Sequence, residues 1–261
     1  MAKQNILRCS WMNKELTYSG QCKRGDQGNK VKNVQEWLSL LGNGVSINSD
    51  FGAATEEAVI RFQRSKGLDD DGVAGRKTFP ELTAPIMRAL QIIPPAEKTF
   101  NQLVTVYAKQ HLKETPLEIG GQNRGPWVRL YTKGYEGEDY PWCAGFVSFI
   151  LRQAADTLGI PPPLKYSLSC DDLVAQAKGK GIFIQGDDIA TGAVRKSVLA
   201  TGYIFLVRKT DTDWTHTGIV TKFDEETFQT IEGNTNDSGE REGYEVCART
   251  RSYGDKDFIK T

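Results

Sequence analysis

The stretch HTGIVTKFDEETFQTIEGN, residues 216–234, holds two short runs rich in β-branched and aromatic side chains, and each predicts a β-strand. Two similar runs precede it, GIFIQ at residues 181–185 and GYIFLVRK at residues 202–209. The main segments with helical periodicity lie earlier in the chain. Strands that cluster after helices favour an α+β domain with an antiparallel sheet.

Two helices are predicted upstream of these strands. AEKTFNQLVTVYAKQHLKE, residues 96–114, and YPWCAGFVSFILRQAADTLG, residues 140–159, repeat apolar side chains at intervals of three and four. Pro141 is well placed at the start of the second helix, because proline is tolerated where the first amide has no helical partner. We therefore expect Cys143 in the first turn of that helix.

The N-terminal part of the chain predicts a small three-helix bundle. KVKNVQEWLSLLG at residues 30–42 and TEEAVIRFQRSKGL at residues 55–68 carry apolar stripes of helical period. DDDGVAGRKTFPEL at residues 69–82 leads through an aspartate-glycine turn into a short third helix. The turn NSDFGAAT at residues 48–55 is similar, which indicates an internal duplication.

Changes in composition mark the domain boundaries that we expect. Pro94 and Pro95 stiffen a connector after the bundle. A chain of 261 residues suits two modest domains. The expected parts are an N-terminal extension (1–20), a small helical domain (21–83), a linker (84–95) and an α+β domain (96–261).

The charge balance narrows the classes of partner. Lys+Arg and Asp+Glu number 33 each, so no global positive field is expected to hold nucleic acid or an anionic membrane. No segment is uniformly apolar over the length of a bilayer. Residues 1–15, MAKQNILRCSWMNKE, lack the apolar run of a secretory signal. We expect a soluble monomer, made in the cytoplasm without a standard signal peptide.

The cysteines predict neither a zinc cluster nor a disulfide framework, because no two of them form a CxxC pair. They are Cys9, Cys22, Cys143, Cys170 and Cys247. Their odd number and wide spacing suit a reducing compartment, where a single thiol stays available for chemistry.

A catalytic role for Cys143 requires a base, and the chain has two histidines. His111 lies near the end of an amphipathic helix, where we expect a solvated surface position. His216 begins a predicted strand. Glu232 and Asn234 lie two residues apart on the next strand, so alternation places both on one face, where either is able to orient the imidazole. Taken singly, each of these residues also fits a structural role.

Two resemblances to known families follow from these residues. The ordered pieces RGDQGNKVKNVQEWL, DFGAATEEAVIRFQRSKGL and DGVAGRKTF resemble the peptidoglycan-binding family of small helical domains. The runs YPWCAGFVSFIL, HTGIV and IEGN resemble the CHAP family, the cysteine, histidine-dependent amidohydrolases and peptidases, over about residues 96–252. The second resemblance implies a papain-like domain in which Cys143 is the nucleophile, His216 the general base and Glu232 its orienting partner. Asn234 would assist orientation or the oxyanion.

The CHAP resemblance also bears on an upstream turn and on metals. Glu118, Asn123 and Gly125 of EIGGQNRGP look like a recurring feature of part of the family, and their role stays open between a structural turn and a substrate contact. Some relatives bind calcium through an aspartate-rich loop before the cysteine. Here YEGEDYPWC has no D-x-D spacing, so we expect no metal and no other cofactor.

Three aromatic residues flank the catalytic candidates in sequence: Tyr140, Trp142 and Trp214. They are candidates for lining a groove for the glycan or the stem peptide, and packing in the core is the alternative.

Together the resemblances imply a peptidoglycan hydrolase that acts on the cell wall, in the periplasm or outside the cell. A wall-binding module raises the local substrate concentration for the enzyme. The amide bond would be either the N-acetylmuramoyl-L-alanine bond or one within the stem peptide. The setting stays open between an endolysin and a delivered antibacterial effector, which would add an immunity protein or a delivery apparatus as partner. The alternatives are a non-catalytic wall-binding protein and a cysteine amidohydrolase acting on another amide.

Overall fold

The predicted α+β class is confirmed by the structure, a computed structural model that describes residues 10–236 and 243–261. The described helices are α1 (Asn13–Leu16), α2 (Asn29–Leu40), α3 (Ala53–Ser65), α4 (Thr78–Leu82), α5 (Ala84–Ala89), α6 (Phe100–Lys113), α7 (Pro126–Tyr131), α8 (Cys143–Leu158), α9 (Cys170–Gly179) and α10 (Gly186–Ala190), with 3₁₀ turns at Ser10–Met12 and Lys196–Val198. The described strands are β1 (Phe183–Ile184), β2 (Ile204–Thr210), β3 (Asp213–Phe223), β4 (Thr227–Thr235), β5 (Glu245–Ser252) and β6 (Lys256–Ile259). Cys9 and the first part of the expected N-terminal extension lie outside the described residues.

The described chain divides into two units that are not separated by a single cut in the sequence. Residues 10–90 and 117–137 form the N-terminal unit. Residues 91–116, 138–236 and 243–261 form the C-terminal unit. Each unit buries its own set of apolar side chains.

Two segments of the N-terminal unit differ from the boundaries expected from composition. The expected linker begins with α5, whose Pro85, Ile86 and Ala89 are buried. Residues 117–137, expected in the second domain, carry α7, where Trp127 packs edge-on against Trp37 of α2 with ring centroids 6.1 Å apart. A returning segment of this kind is held by contacts distant in sequence, which a change in composition does not reveal.

Two buried glutamines display the internal duplication that the turns indicate. Gln35 of α2 donates to the Thr55 hydroxyl at 3.0 Å, and Gln63 of α3 donates to the Thr78 hydroxyl at 3.0 Å. Each also donates to a backbone carbonyl of the turn that leads to the next helix. In each half, therefore, a side-chain amide of one helix ties down the turn and the start of the helix that follows.

The C-terminal unit is built on a sheet whose described strands run in the order β1-β6-β2-β3-β4-β5. Every neighbouring pair is antiparallel, as predicted. α8 packs against β3 and β4, and α6 packs against α8. The sequence did not predict β5 and β6. The polar run ARTRS makes β5 hard to recognise, because this strand at the end of the described sheet leaves alternate side chains partly exposed.

A bulge interrupts β4 near its end. Glu232 pairs with Cys247 of β5, and the next pair joins Thr235 to Glu245, so β4 carries one extra residue between the two pairs. Asn234 lies in this bulge with a φ of 54°, in the left-handed region. The alternation of side chains along β4 is therefore broken directly after Glu232.

Candidate active site

Cys143 is the first residue of α8, which is the first-turn position predicted from the sequence. Gly233 on β4 has no side chain, and a Cβ there would lie 2.7 Å from the Cβ of Phe146 on α8. The glycine thus permits the helix to lie close to the strand that carries Glu232. Cys143 itself is 6% exposed, so the thiol lies almost entirely inside the protein.

His216 and Glu232 meet between neighbouring strands. The distance between His216 Nε2 and Glu232 Oε2 is 2.8 Å, and both residues are buried. Gly218 leaves space for the carboxylate, because a Cβ there would lie 2.7 Å from Glu232 Cγ. β3 and β4 therefore bring the predicted base and its predicted partner into direct contact.

Glu232 is held by two further residues. Arg251 donates through Nε to Oε1 at 2.9 Å and through Nη2 to Oε2 at 2.6 Å, and the Thr230 hydroxyl donates to Oε1 at 2.5 Å. Burial raises the pKa of Glu232, but the hydrogen bonds from Arg251 and His216 outweigh it and lower the pKa to about 2. The carboxylate is therefore ionised at neutral pH.

The Cys143 thiol and the His216 ring interact, since each shifts the pKa of the other. The contact with Cys170 lowers the pKa of Cys143 most, burial opposes it, and the contact with His216 lowers it further. Burial lowers the pKa of His216, but the contacts with Cys143 and Glu232 raise it to about 9. These opposite shifts favour a thiolate beside an imidazolium. Nε2 is hydrogen-bonded to Glu232, and Nδ1 is buried without a hydrogen-bond partner among the described residues, so Nδ1 is the ring nitrogen left to exchange a proton with the sulfur.

Two residues of this cluster were not predicted as site residues. Arg251 lies on β5, the unrecognised strand, and its signal was the alternation of arginines in ARTRS. Cys170 is the first residue of α9, and its Sγ lies 3.9 Å from Cys143 Sγ. The signal for Cys170 was Ser169, an N-cap serine that accepts a hydrogen bond from the amide of Asp172 and so marks a helix start.

Asn234 does not take the position that strand alternation predicts. It lies in the β4 bulge and is 1% exposed, and its side-chain oxygen has no hydrogen-bond partner among the described residues. A role for Asn234 in orienting His216 therefore stays a prediction without a supporting contact.

The three aromatic candidates are mostly packed into the protein. Trp142 is fully buried, and Trp214 is 7% exposed and donates from its indole nitrogen to Asp257 at 2.7 Å. Tyr140 is partly exposed. The burial of the two tryptophans fits the core-packing alternative, and only Tyr140 offers appreciable ring surface for a substrate.

His111 is not on the surface, and that prediction was wrong. The residue is fully buried, and its Nε2 lies 2.8 Å from the side-chain oxygen of Gln153 on α8. The polar neighbours in the sequence suggested a solvated face, but the ring faces the adjacent helix. The pairing with a neutral amide gives His111 a structural role.

The EIGGQNRGP segment forms a tight turn within the N-terminal unit. The backbone N–H of Asn123 donates to Glu118 Oε2 at 2.7 Å, and the backbone N–H of Ile119 donates to the Arg124 carbonyl at 3.0 Å. Gly125 has a φ of 106°, where a Cβ would lie 2.8 Å from Ile119 Cγ2. These contacts favour the structural-turn interpretation of Glu118 and Asn123 over a substrate contact.

The arrangement defines a class of chemistry. A buried thiol beside an imidazole, which is itself held by an ionised carboxylate, is typical of papain-like cysteine hydrolases. Within residues 10–236 and 243–261, no group of three or more His, Cys, Asp or Glu side chains is placed to hold a metal ion. In the same ranges, no helix has the length and apolarity that crossing a bilayer requires.

Two segments of the chain match known families. Residues 27–82 match the putative peptidoglycan binding domain family, and residues 135–234 match the CHAP domain family. These are the two families that the sequence motifs resemble, and each match falls on the segment that carries the motifs.

Similarity to individual proteins is partial. Over 69 residues the chain is 39% identical to the zinc D-Ala-D-Ala carboxypeptidase of Streptomyces albus G, a match that covers 25% of this chain and 27% of that protein. A solved peptidoglycan-binding protein from Clostridioides difficile is 38% identical over 27% of this chain and 42% of its own, with a TM-score of 0.24. The Burkholderia AP3 phage endolysin is 28% identical over 41% of each chain, also with a TM-score of 0.24. The chain thus spans less than half the length of each of these proteins.

Proposed function

We propose that the protein is a peptidoglycan hydrolase that cleaves an amide bond through a covalent intermediate on Cys143. The observation that carries the proposal is the hydrogen-bond distance between His216 and Glu232, together with the opposite pKa shifts of Cys143 and His216, which show that the thiol lies near enough to the ring to interact with it electrostatically. A nucleophile, a base within reach and a third group that orients the base are the three parts that this chemistry needs.

The proposed reaction begins with the Cys143 thiolate attacking the carbonyl carbon of the amide. The imidazolium of His216 then donates its Nδ1 proton to the leaving amine, and a thioester on Cys143 remains. His216, now neutral, removes a proton from water, which attacks the thioester and releases the acid. Glu232 stays ionised throughout and stabilises the imidazolium, since its pKa of about 2 keeps it from taking the proton.

The choice of peptidoglycan as substrate rests on the pairing of the two domains. A wall-binding domain in the same chain keeps the hydrolase at a high effective concentration near its polymer. Either the N-acetylmuramoyl-L-alanine bond or an amide of the stem peptide fits the chemistry, and the masses of the released fragments distinguish the two. The same site serves an endolysin or a delivered effector, and in both settings the enzyme acts on the cell wall.

The test compares wild-type protein with Cys143→Ala on purified sacculi. We expect wild type to release soluble muropeptides that mass spectrometry identifies. The variant should release them at least roughly 10⁴-fold more slowly. Both proteins should sediment with sacculi to the same extent. Cys22→Ala is the matched control, because Cys22 is a buried cysteine of the N-terminal unit and its loss should leave release unchanged.

Three outcomes would contradict the proposal. Release by Cys143→Ala at the wild-type rate would remove the cysteine from the mechanism. Sedimentation of wild type with sacculi without any release would identify a non-catalytic wall-binding protein. Cleavage of small amides but not of sacculi would identify an amidohydrolase with another substrate.

A further inference from the structure

The proposed mechanism uses one thiol, but the site contains two. Cys143 Sγ and Cys170 Sγ lie 3.9 Å apart, and neither residue is in a disulfide. Both are buried, with 6% and 7% of their surface exposed. In the hydrolysis the second sulfur lowers the pKa of Cys143, but no bond to it forms or breaks. Its position next to the nucleophile permits chemistry of its own.

The position of Cys170 is fixed by hydrogen bonds between α8 and the segment directly before α9. The Ser148 hydroxyl of α8 donates to the Ser167 carbonyl at 2.9 Å and accepts from the Ser167 amide at 3.1 Å. Ser167 in turn accepts from the Ser169 amide at 3.1 Å, and Ser169 caps α9. The start of α9 is thereby tied to α8, and the two thiols are held as neighbours.

We propose that Cys143 and Cys170 form an oxidation site, in which a peroxide converts the two thiols into a reversible intramolecular disulfide. In the first step the Cys143 thiolate attacks one oxygen of hydrogen peroxide, giving a sulfenic acid and hydroxide. In the second step the Cys170 sulfur attacks the sulfenic sulfur, the S–S bond forms, and water leaves with the thiol proton. An added dithiol reverses the reaction by exchange and is itself oxidised to its disulfide.

The surroundings of the two sulfurs favour this order of steps. The thiolate is the nucleophile toward peroxide, and the pKa of Cys143 is lowered by Cys170 and, against the effect of burial, by His216. Cys22 is the opposite case, because burial, together with Asp26, raises its pKa to about 11 and keeps its thiol protonated. We therefore expect peroxide to react at Cys143 and to spare Cys22.

Bond formation requires only a small movement. A disulfide has an S–S distance of about 2.05 Å, so the sulfurs must approach each other by roughly 1.9 Å. Hydrogen peroxide is small enough for a nearly buried thiol. Formation of the disulfide would also protect the site, because it consumes the sulfenic acid on Cys143 before further peroxide oxidises it to the irreversible sulfinic and sulfonic acids.

The test uses the full-length protein, reduced and then treated with hydrogen peroxide. Remaining thiols are blocked with an alkylating reagent, and peptide mass spectrometry identifies the products. In wild type we expect a cross-linked peptide pair containing Cys143 and Cys170, two hydrogens lighter than the separate peptides, which disappears on treatment with dithiothreitol. In Cys170→Ser we expect dimedone-trappable sulfenic acid and then sulfinic and sulfonic acids at Cys143. Cys22→Ala should form the cross-link like wild type.

Either of two results would overturn the proposal. One is wild-type Cys143 passing directly to the sulfinic acid without a cross-link. The other is a cross-link that joins Cys143 to a cysteine other than Cys170. Both results come from wild-type protein, so the proposal does not depend on how well the variant folds.

One consequence for activity rests on the proposed function. If Cys143 is the nucleophile, muropeptide release should fall in step with the cross-linked fraction and return to the starting rate with dithiothreitol. In Cys170→Ser, peroxide should abolish whatever release the variant shows, and dithiothreitol should not restore it. The two proposals fail separately, because the cross-link is read by mass and needs no turnover.

Discussion

The N-terminal and C-terminal units each hold an arginine against a fully buried glutamate, but the two clusters differ in what else the glutamate contacts. In the N-terminal unit Arg129 is 8% exposed and donates to Glu15, Glu36 and Glu136, and also to Asn33. We call these five residues the Arg129 cluster. The carboxylates surround the guanidinium, so its charge is neutralised within the cluster itself.

In the C-terminal unit Arg251 donates two hydrogen bonds to the carboxylate of Glu232, and this carboxylate also interacts with a titratable pair of residues. Glu232 is hydrogen-bonded to His216, and His216 and Cys143 shift each other's pKa. We call these four residues the Cys143 cluster. The difference teaches that buried charge by itself does not mark a reactive site. A reactive site is indicated instead by two neighbouring groups whose pKa values are shifted in opposite directions, so that a proton is able to pass from one to the other.

The largest expected effect comes from the same substitution in each cluster. Glu232→Gln should lower kcat/KM for muropeptide release by about 10³- to 10⁴-fold, because a neutral amide no longer stabilises the imidazolium and can present its NH₂ group to Nε2. Glu36→Gln removes an equally buried carboxylate from the Arg129 cluster and should leave kcat/KM of the folded protein unchanged. Equal losses of activity in the two variants would refute the distinction between the clusters.

The next effect is on stability. Arg129→Ala leaves three carboxylates without their guanidinium, and we expect the free energy of unfolding to fall by about 3–5 kcal/mol. Arg251→Ala should cost less, because the Arg251 side chain is 17% exposed and Glu232 retains His216 and Thr230. Denaturant unfolding followed by circular dichroism measures both changes. A larger loss for Arg251→Ala would mean that the Cys143 cluster is the main structural one.

A smaller loss is expected from the duplicated glutamines of the N-terminal unit. Gln35→Ala and Gln63→Ala each leave buried hydrogen-bonding groups unsatisfied, which costs about 1–3 kcal/mol. The two losses should be similar, since the contacts are equivalent in the two halves. Muropeptide release by the folded variants should be unchanged. If one substitution were neutral in a denaturant titration, the two halves would not be equivalent.

Local patterns account for the elements that the sequence predicted. The apolar stripes of α2, α3, α6 and α8 are periodic within a single helix, and the β-branched runs of β2 to β4 are recognisable within a single strand. The first-turn position of Cys143 follows from the same kind of local signal. The contact between His216 and Glu232 was predictable as well, because consecutive strands commonly pair.

The elements that escaped prediction depend on contacts distant in sequence. Segment 117–137 belongs to the N-terminal unit because Trp127 and Arg129 find partners there. Arg251 reaches Glu232 across the β4–β5 pair, and His111 is buried by Gln153 of another helix. None of these partners is marked by spacing or composition. Asn234 is a separate case, since a bulge changed the strand alternation from which its position was predicted, and its role stays a prediction.

The smallest expected effect is a pH dependence that only the Cys143 cluster should display. The active form is the thiolate–imidazolium pair, so kcat/KM should fall about tenfold per pH unit on either side of its range. On the acid side Cys143 gains a proton, below the ordinary range of a thiol because its pKa is lowered. On the alkaline side His216 loses its proton near its pKa of about 9 and can no longer protonate the leaving amine.

The rate of alkylation of Cys143 supplies a measurement independent of turnover and should already be high at neutral pH. Cys22, with a pKa of about 11, should react only in strong alkali. Equal alkylation profiles for the two cysteines would show that the cluster does not activate its thiol.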